Sequence, residues 1–138
     1  MVHQETLSIT TPGRAIVDLT RKLQMIVSRS GIQTGICNVF IQHTSASLFI
    51  NENADPTVRH DLERYMSRLV VDGDPIFKHT EEGVDDMSAH VRSLLTSTSL
   101  TIPLTYGRFA LGTWQGIFLW EHRSLSHIRH VCCTLLGE

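Results

Sequence analysis

Apolar and polar residues alternate along several short stretches of the chain, which predicts β-strands because successive side chains of a strand point to opposite faces of its sheet. These stretches, with the dense apolar runs that also predict strands, are residues 3–10, 14–19, 35–43, 46–51, 100–105, 108–111, 117–121 and 128–136. The turn residues Thr11-Pro12-Gly13 join the first two stretches and predict a β-hairpin there. Stretch 35–43 has apolar residues on both faces, as expected of a strand in the middle of a sheet.

Three further stretches place apolar residues every three or four positions, the spacing of an amphipathic helix. They run from Thr20 to Gly31, from Asp55 to just before Asp72, and from about Asp85 to Leu95. Thr20 can cap the first helix, and Pro56 suits the first turn of the second. Helices and strands are partly segregated along the chain, and no linker divides it. The pattern therefore predicts one α+β domain over residues 1–138.

Composition and charge argue against several classes of protein. The 138 residues carry 12 basic and 14 acidic side chains without a basic stripe, which argues against a dedicated nucleic-acid-binding protein. No apolar stretch approaches the roughly 20 residues of a membrane span, and the N-terminus lacks the pattern of a signal peptide. Three cysteines, two of them adjacent, do not indicate a disulfide framework. We therefore expect a cytoplasmic protein that binds neither nucleic acid nor membrane.

Eight histidines are many for this length, and three of them fall where different elements can converge. His43 ends a strand, His79 lies in the irregular stretch 76–84, and His90 borders the buried face of the third helix. Asp86 and His90 are four residues apart, so a helix presents both on one side. Imidazole and carboxylate groups suit divalent-metal binding or proton transfer. The alternative is that these are ordinary loop and edge-of-core histidines, because spacing alone specifies a metal site only loosely.

Two more candidate features lie in the C-terminal part of the chain. The loop from Gly112 to Gly116 joins two strands, and its backbone N–H groups can hold an anion. A plain hairpin turn anchored by Trp114 explains the same residues equally well. Glu121 shares a strand face with Ile117 and Leu119 and is expected to point inward. A carboxylate buried there needs a histidine, an arginine or a metal as its partner.

Several segments taken together resemble one protein family. They are Gln42-His43-Thr44-Ser45-Ala46, Asn51-Glu52-Asn53-Ala54-Asp55-Pro56, His79 with Glu82-Gly83, Asp85-Asp86 with Ala89-His90, and Gly112-Thr113-Trp114-Gln115 followed by Glu121. In order and spacing these segments are similar to the YjbQ family, often labelled secondary thiamine-phosphate synthase. The resemblance covers almost the whole chain.

The resemblance implies a single α+β domain with a β-sandwich-like antiparallel body and about three helices, assembled as a homotrimer with pockets near the subunit interfaces. It implies a metal site with His79 and His90 as ligands. Zinc suits imidazole best, and magnesium is the alternative if the substrate is a pyrophosphate. The polar positions that it implies include His43, Glu52, Asp85, Asp86 and Glu121, which we expect to be catalytic, and Thr113 and Gln115, which we expect to bind the ligand. We expect Trp114 to join these two by stacking on a ring of the substrate.

The activity that the resemblance implies is thiamine phosphate synthesis. In this reaction a pyrimidine methyl pyrophosphate and a thiazole phosphate are joined, and pyrophosphate is released. Histidine ligands are unusual for a pyrophosphate enzyme, which normally holds magnesium on carboxylates. Two alternatives are therefore kept: a metal-assisted hydrolase, and a non-catalytic trimeric module that binds a metal or a small phosphorylated ligand.

Overall fold

The computed structural model describes all 138 residues, which form three helices and eight strands. The helices are α1 (Thr20–Ser30), α2 (Pro56–Leu69) and α3 (Asp86–Leu95). The strands are β1 (Val2–Thr10), β2 (Ala15–Asp18), β3 (Gly35–Ile41), β4 (Ala46–Glu52), β5 (Ser99–Thr105), β6 (Arg108–Phe109), β7 (Gln115–Glu121) and β8 (Ile128–Gly137). Every element that the hydrophobic pattern predicts is present, so the α+β prediction is confirmed.

The strands form two antiparallel sheets. The five-stranded sheet has the order β1-β8-β3-β5-β6, and the three-stranded sheet has the order β2-β7-β4. The prediction that β3 is a central strand is confirmed. The predicted hairpin of β1 with β2 is wrong, because β1 pairs with β8 and β2 pairs with β7. Gly13, with φ of 116°, provides a turn, but here the turn carries the chain from one sheet to the other.

One hydrophobic core joins the two sheets. Its 18 buried residues come from strands of both sheets, from α1, which supplies Leu23, Ile26 and Val27, and from Leu19 and Ile32, which flank α1. The predicted sandwich-like antiparallel body is therefore confirmed. The start of α1 differs from the prediction, because Thr20 is its first residue and Asp18 accepts from the Thr20 backbone N–H at 2.9 Å.

Helix α2 covers the second face of the three-stranded sheet. Met66 of α2 packs against Trp120 of β7, and the Trp120 indole N–H donates to Glu63 at 2.7 Å. Pro56 stands in the first turn of α2, and the Asp55 side chain accepts from the Thr57 backbone N–H. None of the three helices is long and apolar enough to cross a lipid bilayer.

A buried polar cluster lies between α3 and the three-stranded sheet. His122 is fully buried, and its Nε2 lies 2.8 Å from Ser47 Oγ. Arg92 of α3 is also buried and donates to the Val70 carbonyl oxygen at 2.8 Å. Burial, together with the positive charges of Arg92 and Arg14, lowers the pKa of His122 to about 3. The imidazole is therefore held neutral in the folded protein.

The depressed pKa of His122 predicts an acid-sensitive fold. The unfolded chain binds this proton with a pKa near 6.5, whereas the folded protein resists it down to about 3. The contribution of His122 to the free energy of unfolding is thus fully present above pH 6.5 and falls as the pH drops towards 3, by up to about 1.4 kcal/mol per pH unit. His122→Gln should make the free energy of unfolding less dependent on pH across this window, as measured by urea denaturation at a series of pH values.

The matched control is His60→Gln, because the His60 side chain is 66% exposed. This variant should keep the wild-type pH dependence. Equal slopes for wild type and His122→Gln between about pH 6.5 and 4 would contradict the prediction. Carboxylates with lowered pKa values, such as Asp85, begin to lose their contribution as the pH falls through 3.8, the ordinary value, so the comparison is made above about pH 4.

Candidate metal centre

Two histidines and one carboxylate meet at the start of α3. The Nε2 atom of His79 lies 2.7 Å from Asp86 Oδ2, and the Nε2 atom of His90 lies 3.1 Å from the same oxygen. One ligand atom from each of these three residues lies within 4.8 Å of the other two. The four-residue spacing of Asp86 and His90 thus places both side chains on one side of the helix. His79 joins them from the connection between α2 and α3.

Local structure explains why these side chains converge. Asp86 is the first residue of α3, where the exposed backbone N–H groups of a helix favour negative charge. One turn later, His90 Nδ1 lies 2.9 Å from the Thr44 carbonyl oxygen in the segment before β4. The connection that carries His79 is fastened by Arg123, whose guanidinium donates to the Glu82 carbonyl oxygen at 2.9 Å. Contacts with two other parts of the chain therefore fix the centre.

The hydrogen bond with Thr44 determines which ring nitrogen of His90 carries a proton. A carbonyl oxygen can only accept, so Nδ1 of His90 must carry the proton that points at Thr44. Neutral His90 then presents an unprotonated Nε2 to a carboxylate oxygen of Asp86. Two lone pairs 3.1 Å apart repel each other unless a cation, either a proton or a metal ion, lies between or beside them. The geometry therefore fits a cation-binding centre.

Arg123 binds the carboxylate oxygen of Asp86 that does not face the histidines. Its guanidinium donates to Asp86 Oδ1 at 2.8 Å, which leaves Oδ2 for the two histidines. Burial alone would raise the pKa of Asp86, but the hydrogen bond with His79 and the charges of His90 and Arg123 outweigh it and lower the pKa. Sequence reasoning missed Arg123, since it lies 37 residues from Asp86 in no recognisable pattern.

Asp85 has a different role from its neighbour. Its Oδ2 accepts from the backbone N–H of Ser124 at 2.8 Å, from the Ser124 hydroxyl at 3.0 Å and from Arg123 Nε at 3.1 Å. Burial would raise the pKa of Asp85, but these donors overcome that effect and lower the pKa to about 2. The carboxylate therefore ties α3 to the segment after β7, and this oxygen is already occupied.

Glu121 is fully buried beside the centre, as its strand face predicts. It forms an ion pair with Arg129 of β8 and accepts from the Thr11 hydroxyl at 2.8 Å. Arg129 also donates to the Ser45 hydroxyl at 2.9 Å and thereby holds the segment that carries the Thr44 carbonyl. The partner that the sequence demanded for Glu121 is thus an arginine, and Glu121 is connected to the candidate metal centre through the chain segment before β4.

His43 lies in that same segment. Its Nε2 accepts from the His130 backbone N–H at 2.8 Å, and its Nδ1 lies 3.3 Å from a guanidinium nitrogen of Arg129. Burial and the charge of Arg129 lower the pKa of His43 and keep the ring neutral. His43 therefore contacts Arg129 of the Glu121–Arg129 pair, while the neighbouring Thr44 contacts His90 of the candidate metal centre.

Comparisons with known proteins place this arrangement in a family. A family model described as UPF0047 protein YjbQ-like matches residues 5–138. The UPF0047 protein sll1880 of Synechocystis is 51% identical over 136 residues, which cover 99% of this chain and 92% of that protein. The chain belongs to the YjbQ family. The UPF0047 protein YjbQ of Escherichia coli O157:H7 is 42% identical over 139 residues, which cover 100% of both chains.

Solved structures of YjbQ-like proteins share the fold. A YbjQ-like protein of unknown function from Sulfolobus solfataricus superimposes with a TM-score of 0.91 at 27% identity, covering 100% of this chain and 99% of that chain. The hypothetical protein APE1520 from Aeropyrum pernix gives a TM-score of 0.90 at 31% identity, with 99% of both chains covered. The resemblance to the YjbQ family and the fold that it implies are thereby confirmed.

The remaining candidate residues of this YjbQ chain lie elsewhere. Glu52 pairs with Gln115 at one end of β4 and β7, whereas Ala46 pairs with Glu121 at the other end, near the metal centre. Six residue steps along an extended strand span about 20 Å. Thr113 and Trp114 extend beyond the Gln115 end, with Trp114 63% exposed. Within one chain, these four residues therefore do not meet the histidines.

The loop that carries these residues is partly engaged. Gln115 accepts from the backbone N–H of Gly112 at 2.8 Å, and the Trp114 carbonyl oxygen accepts from the Asn53 backbone N–H at 2.8 Å. A Cβ at Gly116 would lie 2.9 Å from the Asn53 side chain, so this glycine permits close packing. The hairpin-turn interpretation is wrong, because β6 belongs to the five-stranded sheet and β7 to the three-stranded sheet, so the loop connects the two sheets. Anion binding by the loop stays a prediction.

Proposed function

We propose that His79, Asp86 and His90 bind a divalent metal ion, with zinc as the preferred ion. The observation that carries the proposal is that His90 Nε2 faces Asp86 Oδ2 at 3.1 Å while His90 Nδ1 is engaged by the Thr44 carbonyl oxygen, an arrangement that a cation stabilises. Two imidazole nitrogens and one carboxylate oxygen are a donor set of catalytic zinc sites, which keep a fourth position for water or substrate. Magnesium fits less well because it prefers an all-oxygen shell.

Access to the centre supports a catalytic role. The His79 side chain is 48% exposed and that of His90 is 32% exposed, whereas the Asp86 side chain is only 8% exposed. The carboxylate is thus held from the protein side while both rings face solvent. Arg123 holds Asp86 in place, as the hydrogen-bonded supports of metal ligands do in other proteins. A small phosphorylated substrate would approach from the side of the histidines.

The reaction that we propose first is thiamine phosphate synthesis. The thiazole ring nitrogen attacks the methylene carbon of the pyrimidine substrate, the bond from this carbon to oxygen breaks, and pyrophosphate leaves with the electron pair. A bound metal would stabilise the negative charge on the leaving oxygens. Within the chain, Arg123 fixes Asp86 and the Thr44 carbonyl oxygen fixes His90. The two side chains would thereby keep a bound metal next to the leaving oxygens. His79 is the most exposed of the three ligands, so its side of the centre is open to substrate.

A metal-assisted hydrolase is the second candidate. The observation that favours it is the donor set itself, since two histidines with one carboxylate and an open position are typical of hydrolytic zinc enzymes. The third possibility is a module that binds a metal or a phosphorylated ligand without converting it. This possibility is supported by the engaged states of Asp85 and Glu121, which leave no obvious second acid or base beside the histidines.

We further propose that the chain forms a homotrimer in the cytoplasm. The outer face of the five-stranded sheet is uncovered in the single chain and exposes Ile36, Phe40 and Leu136. Assembly would cover this apolar surface, and it would allow the loop with Thr113 and Trp114 to approach the metal centre of a neighbouring subunit. The three free cysteines support a reducing compartment.

The proposal predicts that His79→Ala and His90→Ala each lower zinc affinity and remove metal-dependent turnover. Each ligand contributes directly to the ion, so the loss of affinity should reach about 100-fold. Zinc affinity is measured by competition with a chromogenic chelator, and turnover is measured as thiamine phosphate formation and as phosphate release from model phosphate esters. Light scattering reports whether each variant keeps the assembly of the wild type. His60→Ala, an exposed histidine on α2, is the control and should behave as wild type.

The outcomes separate the three functions. Chelator-sensitive formation of thiamine phosphate supports the synthase, and chelator-sensitive phosphate release alone supports the hydrolase. Stoichiometric zinc without any turnover supports the binding module. Wild-type zinc affinity in both histidine variants would refute the metal centre itself.

A further inference from the structure

A cavity separate from the metal centre opens between α1 and the segment around β6. Its volume is about 720 Å³, within the range of roughly 300–1,000 Å³ of small-molecule sites. Its lining includes Arg21, Met25, Arg108, Phe109 and Leu111, together with Asn53. We propose that this cavity binds a small aromatic anion, independently of any metal at the histidines.

The location separates the cavity from the metal centre. Asn53 directly follows β4 at the end where Glu52 pairs with Gln115. The histidines contact the chain before the opposite end of β4, through the Thr44 carbonyl oxygen. The length of the strand, roughly 20 Å, therefore lies between the two sites. One small ligand cannot contact both within a single chain.

The walls of the cavity are fixed without a ligand. Gln24 of α1 donates to the Gly107 carbonyl oxygen at 3.0 Å and accepts from the Phe109 backbone N–H at 3.2 Å. These two hydrogen bonds hold α1 against the turn that contains β6. Because the backbone that carries Arg108 and Phe109 is held against α1 before a ligand arrives, less ordering of the chain is needed on binding.

The arginines that line the cavity indicate that its ligand is an anion. Of three arginines at the cavity, Arg29 is engaged by Glu5 at 2.7 Å, whereas Arg21 and Arg108 have neither an ion-pair partner nor a side-chain hydrogen bond. A free guanidinium binds carboxylate or phosphate oxygens through two parallel N–H groups. Asp18 also lines the cavity, but its oxygens already accept from Thr20 and Asn53.

The apolar residues that line the cavity indicate that part of the ligand is apolar. Met25 leaves 54% of its surface exposed, which is unusual for a large apolar side chain in a helix that otherwise buries such residues. Phe109 and Leu111 lie beside it and are partly buried. A flexible thioether adapts to flat rings and makes favourable sulfur contacts with them. An aromatic ring over Met25 with its anionic group between Arg21 and Arg108 satisfies both features.

Methionine methyl NMR can test this assignment directly. The chain has four methionines: Met25 in the cavity, Met87 beside His79, Met66 in the core and Met1 at the N-terminus. The probe is phenylphosphonate, which carries a ring and a dianionic group and resists hydrolysis, added to the full chain in the presence of chelator. The Met25 methyl resonance, assigned with Met25→Leu, should shift saturably. Inorganic phosphate alone and benzyl alcohol alone should bind at least about tenfold more weakly.

Arginine variants test whether Arg21 and Arg108 bind the anionic group of phenylphosphonate. The double variant Arg21→Gln/Arg108→Gln should lose at least about tenfold in affinity, with an unchanged melting temperature. The matched control is Arg64→Gln/Arg68→Gln on the exposed face of α2, which should bind like the wild type. An unshifted Met25, or wild-type affinity in the first double variant, would overturn the proposal. A shift at Met87 instead of Met25 would also overturn it, because the probe would then bind beside His79. His90→Ala should leave the Met25 titration unchanged, so failure of the metal centre and failure of the cavity are distinguishable.

Discussion

Replacing Asp86 with asparagine should lower the zinc affinity by about 100-fold or more, whereas the same change at Asp85 should leave it within a few-fold of wild type. The two carboxylates are adjacent in the chain, but only Asp86 Oδ2 faces the histidines. Asparagine at this position removes the negative charge that a divalent ion needs there. Competition between the protein and a chromogenic chelator measures both affinities.

The neighbouring position is an internal control for this prediction. Asp85 Oδ2 accepts from Ser124 and Arg123, so Asp85→Asn should lower the melting temperature instead of the metal affinity. If the two variants lost zinc to the same extent, the assignment of Asp86 as the ligand and Asp85 as a structural anchor would be wrong. Measuring the melting temperature without metal keeps the two effects apart, because bound metal would itself stabilise the folded state.

The geometry of the candidate metal centre depends on two arginines, one in the connection between β7 and β8 and one in β8. Arg123 holds Asp86 and the carbonyl oxygen of Glu82, and thereby fixes the connection that carries His79. Arg129 holds Glu121 and Ser45, and thereby fixes the segment whose Thr44 carbonyl orients His90. Each ligand is thus supported by a cation from the C-terminal third of the chain. This arrangement explains how a short helix and two irregular segments can keep a defined geometry.

The elements of the fold were predictable because their signals are local. Helix α2 has Pro56 in its first turn and the Asp55 cap before it, and both lie within a few residues of the helix start. The pairing of β1 was not predictable in the same way, because its partner β8 lies at the other end of the chain. Turn residues specify that the chain reverses, but burial of whole sheet faces decides which strands pair.

In the candidate site, too, local contacts were predictable and contacts between distant segments were not. Asp86 and His90 share a helix face, so their spacing alone brings them together. The approach of His79 needed the fold of the connection before α3, and the roles of Arg123 and Arg129 needed contacts between distant segments. Trp114 illustrates the limit, since we expected it to stack on a substrate ring at the site, while one chain places it at the other end of β7.

Glu121→Leu should destabilise the protein by about 3–5 kcal/mol, the cost of leaving a buried charge without its partner. Glu121 has no exposed surface, and Arg129 is 4% exposed, so water cannot replace the lost contacts. The free energy of unfolding is measured by urea denaturation at neutral pH. Because Arg129 also holds Ser45, the same variant should weaken zinc binding through the loosened Thr44 carbonyl.

The double variant Glu121→Leu/Arg129→Met is the decisive comparison for this ion pair. Removing both charges leaves no unpaired ion in the interior, and apolar residues of similar size can fill the space. The double variant should therefore regain at least about half of the stability that Glu121→Leu loses, as the non-additivity of contacting residues requires. Its zinc affinity should stay low, since no guanidinium remains to hold Ser45. Additive losses in the double variant would mean that Glu121 stabilises the fold through Thr11 and not through Arg129.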